Sequence, residues 1–359
     1  MVLPQKKWTI AVLILLIPFL FSLADACGAA NGTRTIVDQL GREVTIPQNV
    51  ERVVVLMHHA LDIMLELGAQ DQIVGVLKDW NKYLPPGILK VWPAIATMPT
   101  PGDLRTMVNT EELLKLKPDV VIITHYMMGK TGKQIEAVGL PVVGISLYKA
   151  GYEEVSVLNP KLKDPDRAYT EGLKEGVLLL GDILGKRDQA EKLITYIFKN
   201  REMIAERLGN IPRDERVRTY MAYPELYTMG TGKYASVIME RAGGLNVAME
   251  IKGYKQVSME DVLRWNPQVI FTQDRYRNVA EEILQSEAWQ AVDAVKNGKV
   301  YVTPEYVKPW GHPCPESIGL GELWMAVKLY PDKFKDLNLG AYVDDFYRTF
   351  YGVPYSGNN

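Results

Sequence analysis

The feature that most constrains the fold is a segment that occurs twice. Thr110–Ile122 aligns without gaps with Met259–Phe271, and in both copies a short amphipathic stretch ends at a proline followed by an apolar run. Proline ends a helix because it lacks an amide donor and clashes with the preceding turn, so each copy predicts a short helix and then a strand. The copies lie in opposite halves of the 359-residue chain. The sequence therefore predicts two related α/β halves.

Strand and helix patterns alternate on both sides of one long helical stretch. Short apolar runs typical of strands covered on both faces are found at 52–56, 73–77, 119–124, 141–145, 217–222, 269–272 and 300–303. Thr35–Ile46 alternates in polarity around a turn, which predicts a β-hairpin. Apolar residues recur at helical spacing from Asp164 to about Leu208, which predicts a single long helix or two in series. The predicted fold class is α/β, with two Rossmann-like lobes of mostly parallel sheets joined by a backbone helix.

The first residues form an export segment. Lys6 and Lys7 precede an apolar run, and small residues at 24–26 fit a cleavage site. We expect a signal peptide over 1–26, lobes over 27–163 and 211–359, a bridging helix over 164–210, and a location in the periplasm or at the cell surface. An uncleaved N-terminal anchor is the alternative. Cys27 suggests a lipid anchor, although Ala24 and Asp25 depart from the usual motif, and it could otherwise pair with Cys314.

Composition and motifs exclude several function classes. The net charge of -2 gives no basic field to attract nucleic acid, so no nucleic-acid partner is expected. The sequence lacks a G-x-S-x-G elbow, an H-E-x-x-H zinc motif and a dinucleotide fingerprint, so we predict that it is not an enzyme; a two-domain α/β metalloenzyme remains a remote alternative. It also lacks the Cys/His spacing of a closed structural zinc site. No cofactor of its own is predicted.

The order of these motifs resembles the helical-backbone (class III) substrate-binding proteins of ABC importers, the family of ferric-siderophore, haem and cobalamin binders. The matching stretches are 38–47, 52–56, 111–121, 141–145, 181–193, 241–246 and 260–270. The resemblance implies a monomer that binds a small ligand between its lobes and delivers it to a permease dimer with its ATPase subunits. It assigns permease docking to Glu111 and Glu260, which occupy equivalent positions in the repeat. The simpler interpretation is that both are first-turn glutamates favoured by the helix dipole.

Ligands of open α/β sheets meet the loops beyond the carboxyl ends of the strands, and all four histidines are predicted to lie there. Adjacent His58 and His59 point to opposite sides of an extended chain, so we expect only one of them to contact a ligand. Each candidate could instead be an ordinary loop or wall residue. The predicted ligand-binding residues are His58, His59, Trp80, His125, Tyr126, Tyr148, Tyr227, Lys233, Arg275, Tyr276, Trp310 and His312.

The chemistry of these side chains leaves two ligand classes. Imidazoles and aromatic rings suit a metal chelate such as an iron siderophore, haem or a cobamide, and this is the leading expectation. Arg275, Arg277 and Lys233 add positive charge on the second half, which would suit an oxyanion such as molybdate or tungstate, bound by some members of this fold. Solvated surface charge is the simpler interpretation of these three.

Overall fold

The computed structural model describes residues 32–102, 108–151, 157 and 160–357. Each half contains a four-stranded parallel sheet, and both sheets place their strands in the same spatial order: second, first, third and fourth along the chain. We call the two sheets with their flanking helices the first and second lobes. The duplicated topology confirms the predicted α/β architecture of two related lobes.

Each of the seven predicted apolar runs contains a strand, but three short strands at 227–229, 245–246 and 254–256 were not predicted. The first lobe has an antiparallel hairpin, β1 and β2, and a sheet ordered β4-β3-β5-β6; the second has a sheet ordered β9-β7-β11-β12 and an antiparallel pair, β8 and β10. In chain order the strands are β1 Thr33–Val37, β2 Glu43–Pro47, β3 Val53–Val55, β4 Ile73–Val76, β5 Val120–Thr124, β6 Val142–Ile145, β7 Arg218–Ala222, β8 Tyr227–Met229, β9 Leu245–Asn246, β10 Tyr254–Gln256, β11 Val269–Thr272 and β12 Val300–Val302.

The strands β3, β5, β6 and β11 are buried along their whole length, whereas β12 at the edge of the second sheet is only half-buried. None of the helices in the described ranges is both long enough and apolar enough to span a membrane. The α-helices are α1 His58–Glu66, α2 Ile88–Val91, α3 Thr110–Lys115, α4 Lys133–Glu136, α5 Pro165–Leu184, α6 Arg187–Leu208, α7 Tyr234–Arg241, α8 Met259–Trp265, α9 Arg277–Gln285, α10 Asp293–Lys296, α11 Glu322–Leu329 and α12 Leu339–Phe346.

The duplicated segment folds alike in both lobes. The side chain of Asn109 caps α3, and Ser258 caps α8 within a capping box. Each helix is then followed by a left-handed residue directly before the proline, Lys117 with φ 44° and Asn266 with φ 42°. The left-handed residue reverses the chain, so that the strand can start at once. The sequence repeat is therefore also a repeat of backbone conformation.

The helical stretch between the lobes consists of two antiparallel helices. Gly185, with φ 65°, ends α5 in the left-handed conformation that glycine adopts without strain. The guanidinium of Arg201 in α6 donates to the Thr170 hydroxyl in α5 at 3.1 Å, which shows that α6 runs back along α5. The segment predicted as one helix or two in series is thus an antiparallel pair, and the lobe limits 27–163, 164–210 and 211–359 stay predictions.

The bridging helix α5 is bonded to both lobes. On the first lobe the amide of Gln39 donates to the Gly172 carbonyl at 2.8 Å. On the second, the Tyr169 hydroxyl donates to the Gly232 carbonyl at 3.0 Å. Since Tyr169 and Gly172 lie within one turn of the helix, α5 contacts both lobes at the same level.

Candidate functional site

The four histidines meet in the crevice between the lobes. His58 and His59 follow β3, His125 follows β5, and His312 lies beyond β12 in the second lobe. The ring centroid of His312 is 5.3 Å from that of His59 and 5.3 Å from that of His125. These loops converge because the carboxyl ends of neighbouring parallel strands share one edge of a sheet, which here faces the other lobe. We call these four residues the histidine cluster.

The expectation that His58 and His59 diverge is wrong. It assumed an extended chain, but His58 is the first residue of α1, and the helical backbone places the two rings 4.0 Å apart at a tilt of 40°. Both rings also contact the Trp310 ring, each at a centroid distance of 5.3 Å. Both histidines therefore belong to the cluster.

Aromatic side chains enclose the histidine cluster. Tyr148 stacks on His312 with 5.7 Å between ring centroids and 12° between ring planes, and Tyr126 meets the edge of His125 at 5.0 Å. Tyr83 stacks on His58 at 5.2 Å, a contact that the sequence analysis missed. Tyr83 lies in no predicted strand or helix, so the sequence carried no signal for it.

Burial keeps the histidines neutral near pH 7. Loss of solvation lowers the pKa of His58, His59 and His312 well below the ordinary value, and that of His125 to about 4. A neutral imidazole offers one N–H donor and one acceptor nitrogen. Three ring nitrogens, His58 Nδ1, His59 Nε2 and His312 Nδ1, are buried without a hydrogen-bond partner in the described part of the chain. Buried polar atoms are usually satisfied, so these nitrogens mark a place where a ligand can bind.

Positive charge lies at the rim of the cluster. The Nε of Arg275 donates to Gln273 Oε1 at 2.6 Å, and its guanidinium lies 5.4 Å from the centre of the Trp310 ring. After burial, the charge of Arg275 is the largest cause of the lowered pKa of His58. Lys233 is half-buried, and burial lowers its pKa as well. The rim of the crevice therefore carries a cationic field, as the oxyanion alternative requires.

A cavity of about 430 Å³ opens between the lobes outside the cluster. Lys82 and Tyr83 line it from the first lobe, and Arg275, Arg277 and Trp310 from the second. Trp310 also contacts His58 and His59, so its indole separates this outer cavity from the buried histidines. The site consists of a cationic entrance and a buried, neutral interior.

Three predicted ligand residues lie apart from the cluster. Tyr227 stacks on Tyr254 at 4.9 Å, and Tyr276 meets the edge of Tyr223 at 5.9 Å, so both belong to a tyrosine group beside Arg275. Trp80 begins a single turn of 3₁₀-helix and packs partly buried on the core of the first lobe. Sequence reasoning placed these residues in cleft loops but could not give their direction.

A buried ionic cluster beneath the histidines was not predicted. Lys308 of the second lobe forms ion pairs with Asp62 of α1 and with Glu316, and all three side chains are almost fully buried. Glu66, one turn further along α1, is buried too, and burial raises its pKa well above the ordinary value. The i, i+4 spacing of Asp62 and Glu66 within an otherwise apolar helix was the available sequence signal. We call these four residues the ionic cluster.

The remaining predicted sites lie elsewhere. Glu111 is 81% exposed and accepts a hydrogen bond from Lys115 Nζ at 2.7 Å, and Glu260 is exposed at the equivalent position of α8. Cys27 lies outside the described residues. Cys314 is a buried free thiol. Within the described ranges, no group of three or more His, Cys, Asp or Glu side chains is arranged to hold a metal ion.

Comparison with known proteins identifies close relatives. The molybdate-binding protein MolA of Haemophilus influenzae is 47% identical over 94% of this chain and 96% of the relative. A solved structure of MolA bound to molybdate matches with a TM-score of 0.86 and 48% identity, covering 90% of this chain and 99% of that one. The uncharacterized ABC transporter substrate-binding lipoprotein YvrC of Bacillus subtilis is 26% identical over 84% of this chain and 87% of the relative.

These findings correct the leading ligand expectation. A binding protein for an iron siderophore, haem or a cobamide is the wrong prediction, because the relative that shares 47% of its residues over nearly the whole chain is a molybdate-binding protein. The geometry explains the error, since the histidine rings lie within about 5 Å of their neighbours and the outer cavity is separated from them by Trp310. Of the aromatic residues expected to suit a large chelate, Tyr126, Tyr148 and Trp310 instead pack against the histidines.

The family resemblance is confirmed. The solved structure of MolA shares the two-lobed fold, and the prediction of a binding protein without enzymatic activity is confirmed by this kinship. The family model for periplasmic binding proteins matches residues 53–307, which include both sheets and the bridging helices. The chain therefore belongs to the periplasmic binding protein family.

Proposed function

We propose that this protein is the substrate-binding subunit of an ABC importer for a tetrahedral oxyanion, molybdate or tungstate, which it holds in the histidine cluster. The observation that carries the proposal is the set of three buried ring nitrogens without partners between the lobes. The similarity to MolA, whose structure holds molybdate, supports the same ligand class.

The proposed mode of binding is hydrogen bonding to a desolvated dianion. Imidazole N–H groups of His58, His59 and His312 donate to the oxygens, and burial strengthens each bond because little water competes. Arg275 and Lys233 at the rim attract the anion into the crevice. A bound dianion stabilises the imidazolium form, so binding raises the histidine pKa values that burial had lowered. Affinity is therefore expected to increase as the pH falls from 8 towards 6.

Titration calorimetry tests this function. Molybdate and tungstate are titrated into the protein at pH 6 and pH 8, in buffers of different ionisation enthalpy, with sulfate for comparison. We expect binding of the first two, net proton uptake, and at least about tenfold weaker binding in His59→Ala and His312→Ala, since each loses a charge-assisted hydrogen bond. Gln290→Ala, an exposed change on the second lobe, serves as the control. Unchanged affinity in both histidine variants would refute the assignment of the site.

We also propose that the protein acts as an exported monomer that docks on a permease dimer through Glu111 and Glu260. Their exposure at equivalent positions of the two lobes supports a partner that contacts both lobes. The double variant Glu111→Ala/Glu260→Ala is expected to bind the oxyanion normally and to lose stimulation of the transporter ATPase. Mass spectrometry of the membrane fraction tests the lipid at Cys27, where an unmodified thiol would contradict the anchor.

A further inference from the structure

Each copy of the repeat presents an exposed leucine one turn after its exposed glutamate. Leu114 is 44% exposed and Leu263 is 41% exposed, although their neighbours Leu113 and Val262 are fully buried. Leu114 and Leu263 occupy the same position of the repeat, three residues after Glu111 and Glu260. Side chains at i and i+3 share one face of a helix, so each lobe carries a Glu–Leu pair on one surface.

Both Glu–Leu pairs lie at the cleft end of their lobes. In the first lobe, Gly102 bridges to Leu77 directly after β4, and the amide of Asn109, the cap of α3, donates to the Pro101 carbonyl at 2.7 Å. In the second, the amide of Val257, just before α8, donates at 3.1 Å to the carbonyl of Leu226, which lies between β7 and β8. Both helices thus start beside the carboxyl ends of the sheet strands. A partner that spans the crevice reaches both pairs at once.

We infer that Leu114 and Leu263 are the apolar anchors of the docking surface, each inserting beside the contact made by its glutamate. The inference rests on the proposed transport function and extends it to the chemistry of the partner. A duplicated Glu–Leu pair matches a two-fold partner that offers, at each of two equivalent sites, a cationic side chain next to an apolar depression. The permease dimer of the proposed function is a partner of this kind.

The pairs also differ in a way that bears on the contact. Glu111 bonds with Lys115 of its own helix, whereas no ion pair reaches Glu260 in the described part of the chain. Arg264, next to Leu263, is paired with Glu250 and Asp261 instead. Docking of the first lobe must compete with the lysine for its carboxylate, but the leucines are unobstructed on both lobes. The apolar contact is therefore expected to contribute equally from each side.

Substitution with glutamine tests the inference, because glutamine has a helix propensity similar to that of leucine but ends in a polar amide, which removes the apolar contact. The protein concentration for half-maximal stimulation of the reconstituted transporter ATPase is measured for Leu114→Gln, Leu263→Gln and the double variant. Burial of the exposed part of one leucine predicts an increase of about fivefold for each single variant, and of about 25-fold for the double variant if the lobes act independently. Molybdate affinity by calorimetry is expected to stay within about twofold.

Two leucines outside the repeat provide matched controls. Leu89 is 43% exposed and Leu284 is 47% exposed, so Leu89→Gln and Leu284→Gln remove as much exposed apolar surface and are expected to leave stimulation unchanged. An effect below twofold in the double variant, or an equal effect in the controls, would overturn the inference. If the unaltered protein does not bind molybdate, the proposed transport function is refuted separately. If Glu111→Ala/Glu260→Ala still stimulates the transporter ATPase normally, the docking assignment is refuted.

Discussion

Replacing Lys308 with Met tests whether the ionic cluster is a desolvated contact between the lobes. Lys308 is 3% exposed, and its ammonium group is shared by the carboxylates of Asp62 in the first lobe and Glu316 in the second. Burial is the largest single effect and by itself would lower the pKa of Lys308, but the neighbouring groups, Asp62 foremost, together outweigh it, so the pKa stands above its ordinary value. Lys308 is therefore charged, and its removal leaves buried carboxylates without a cation.

The magnitude follows from the cost of an unpaired buried charge. Removing one member of a buried ion pair costs about 3–5 kcal/mol, because the remaining ion keeps its desolvation penalty. Met matches the aliphatic stem of Lys, so loss of packing adds little. Since folded domains are stable by only about 5–15 kcal/mol, the variant is expected to lose about a fifth or more of its free energy of unfolding.

Urea denaturation followed by circular dichroism measures this loss. The compensated variant Lys308→Met/Asp62→Asn/Glu316→Gln removes the carboxylate charges as well, and we expect it to regain at least half of the lost stability. It also keeps the test decisive if the single variant does not fold. A loss below about 1 kcal/mol in Lys308→Met, or no recovery in the compensated variant, would show that water reaches these groups and would refute the reasoning.

Two further predictions concern pH and backbone packing. His125 has a pKa of about 4 in the folded protein against an ordinary value of 6.5, so between these pH values the unfolded chain binds more protons than the folded one. As the pH falls from 6.5 to 4, His125 alone should lower the free energy of unfolding by about 3 kcal/mol. A urea midpoint that is equal at pH 7 and pH 4.5 would contradict this. Gly172→Ala should destabilise by about 2 kcal/mol or more and weaken molybdate binding, because the new Cβ would lie 2.1 Å from Tyr148 Cα. In Gly185→Ala the new Cβ has no atom within 4 Å, and the only strain comes from the left-handed φ at this position. Thermal melts should therefore show a loss of about 1 kcal/mol in the free energy of unfolding, and calorimetry should show an unchanged affinity for molybdate.

Most of the fold was predictable because its signals are local. A proline after an amphipathic helix fixes where a strand begins, and this signal occurs at both Pro118 and Pro267, each preceded by a residue in the left-handed conformation. Continuous apolar runs identified the parallel strands, whose burial on both faces the structure confirms at Val120–Thr124 and Val269–Thr272. The break of the bridging helix at Gly185 was less visible, since the same stretch contains Gly172, Gly176 and Gly181 in helical conformation.

The sequence predicted many of the residues that form the site, but not how their side chains contact one another. The loop positions of His125 and His312 follow from strand ends, yet their 5.3 Å contact depends on how closely two separate lobes approach. That approach also decides how much room a ligand has. Because the sequence does not give this distance, the residue types alone favoured a large chelate. The contacts of Lys308 were equally hard to predict, because its partner Asp62 lies 246 residues away in the sequence. The backbone of Lys308 is also left-handed, with φ 42°, a conformation that a lysine does not signal as a glycine would.

One helix connects the ligand site to the contact between the lobes. His58, Asp62 and Glu66 recur every four residues along α1, so they lie on one face, with the histidine cluster at its start and the ionic cluster beneath. A movement that separates His58 from Trp310 therefore also separates Asp62 from Lys308. Because the attraction within a buried ion pair is largely offset by the desolvation of its charges, the ionic cluster does little to drive closure by itself. In the proposed mode of binding, the oxyanion accepts hydrogen bonds from His58 and His59 of the first lobe and from His312 of the second, so we expect the ligand to favour the closed arrangement of the lobes.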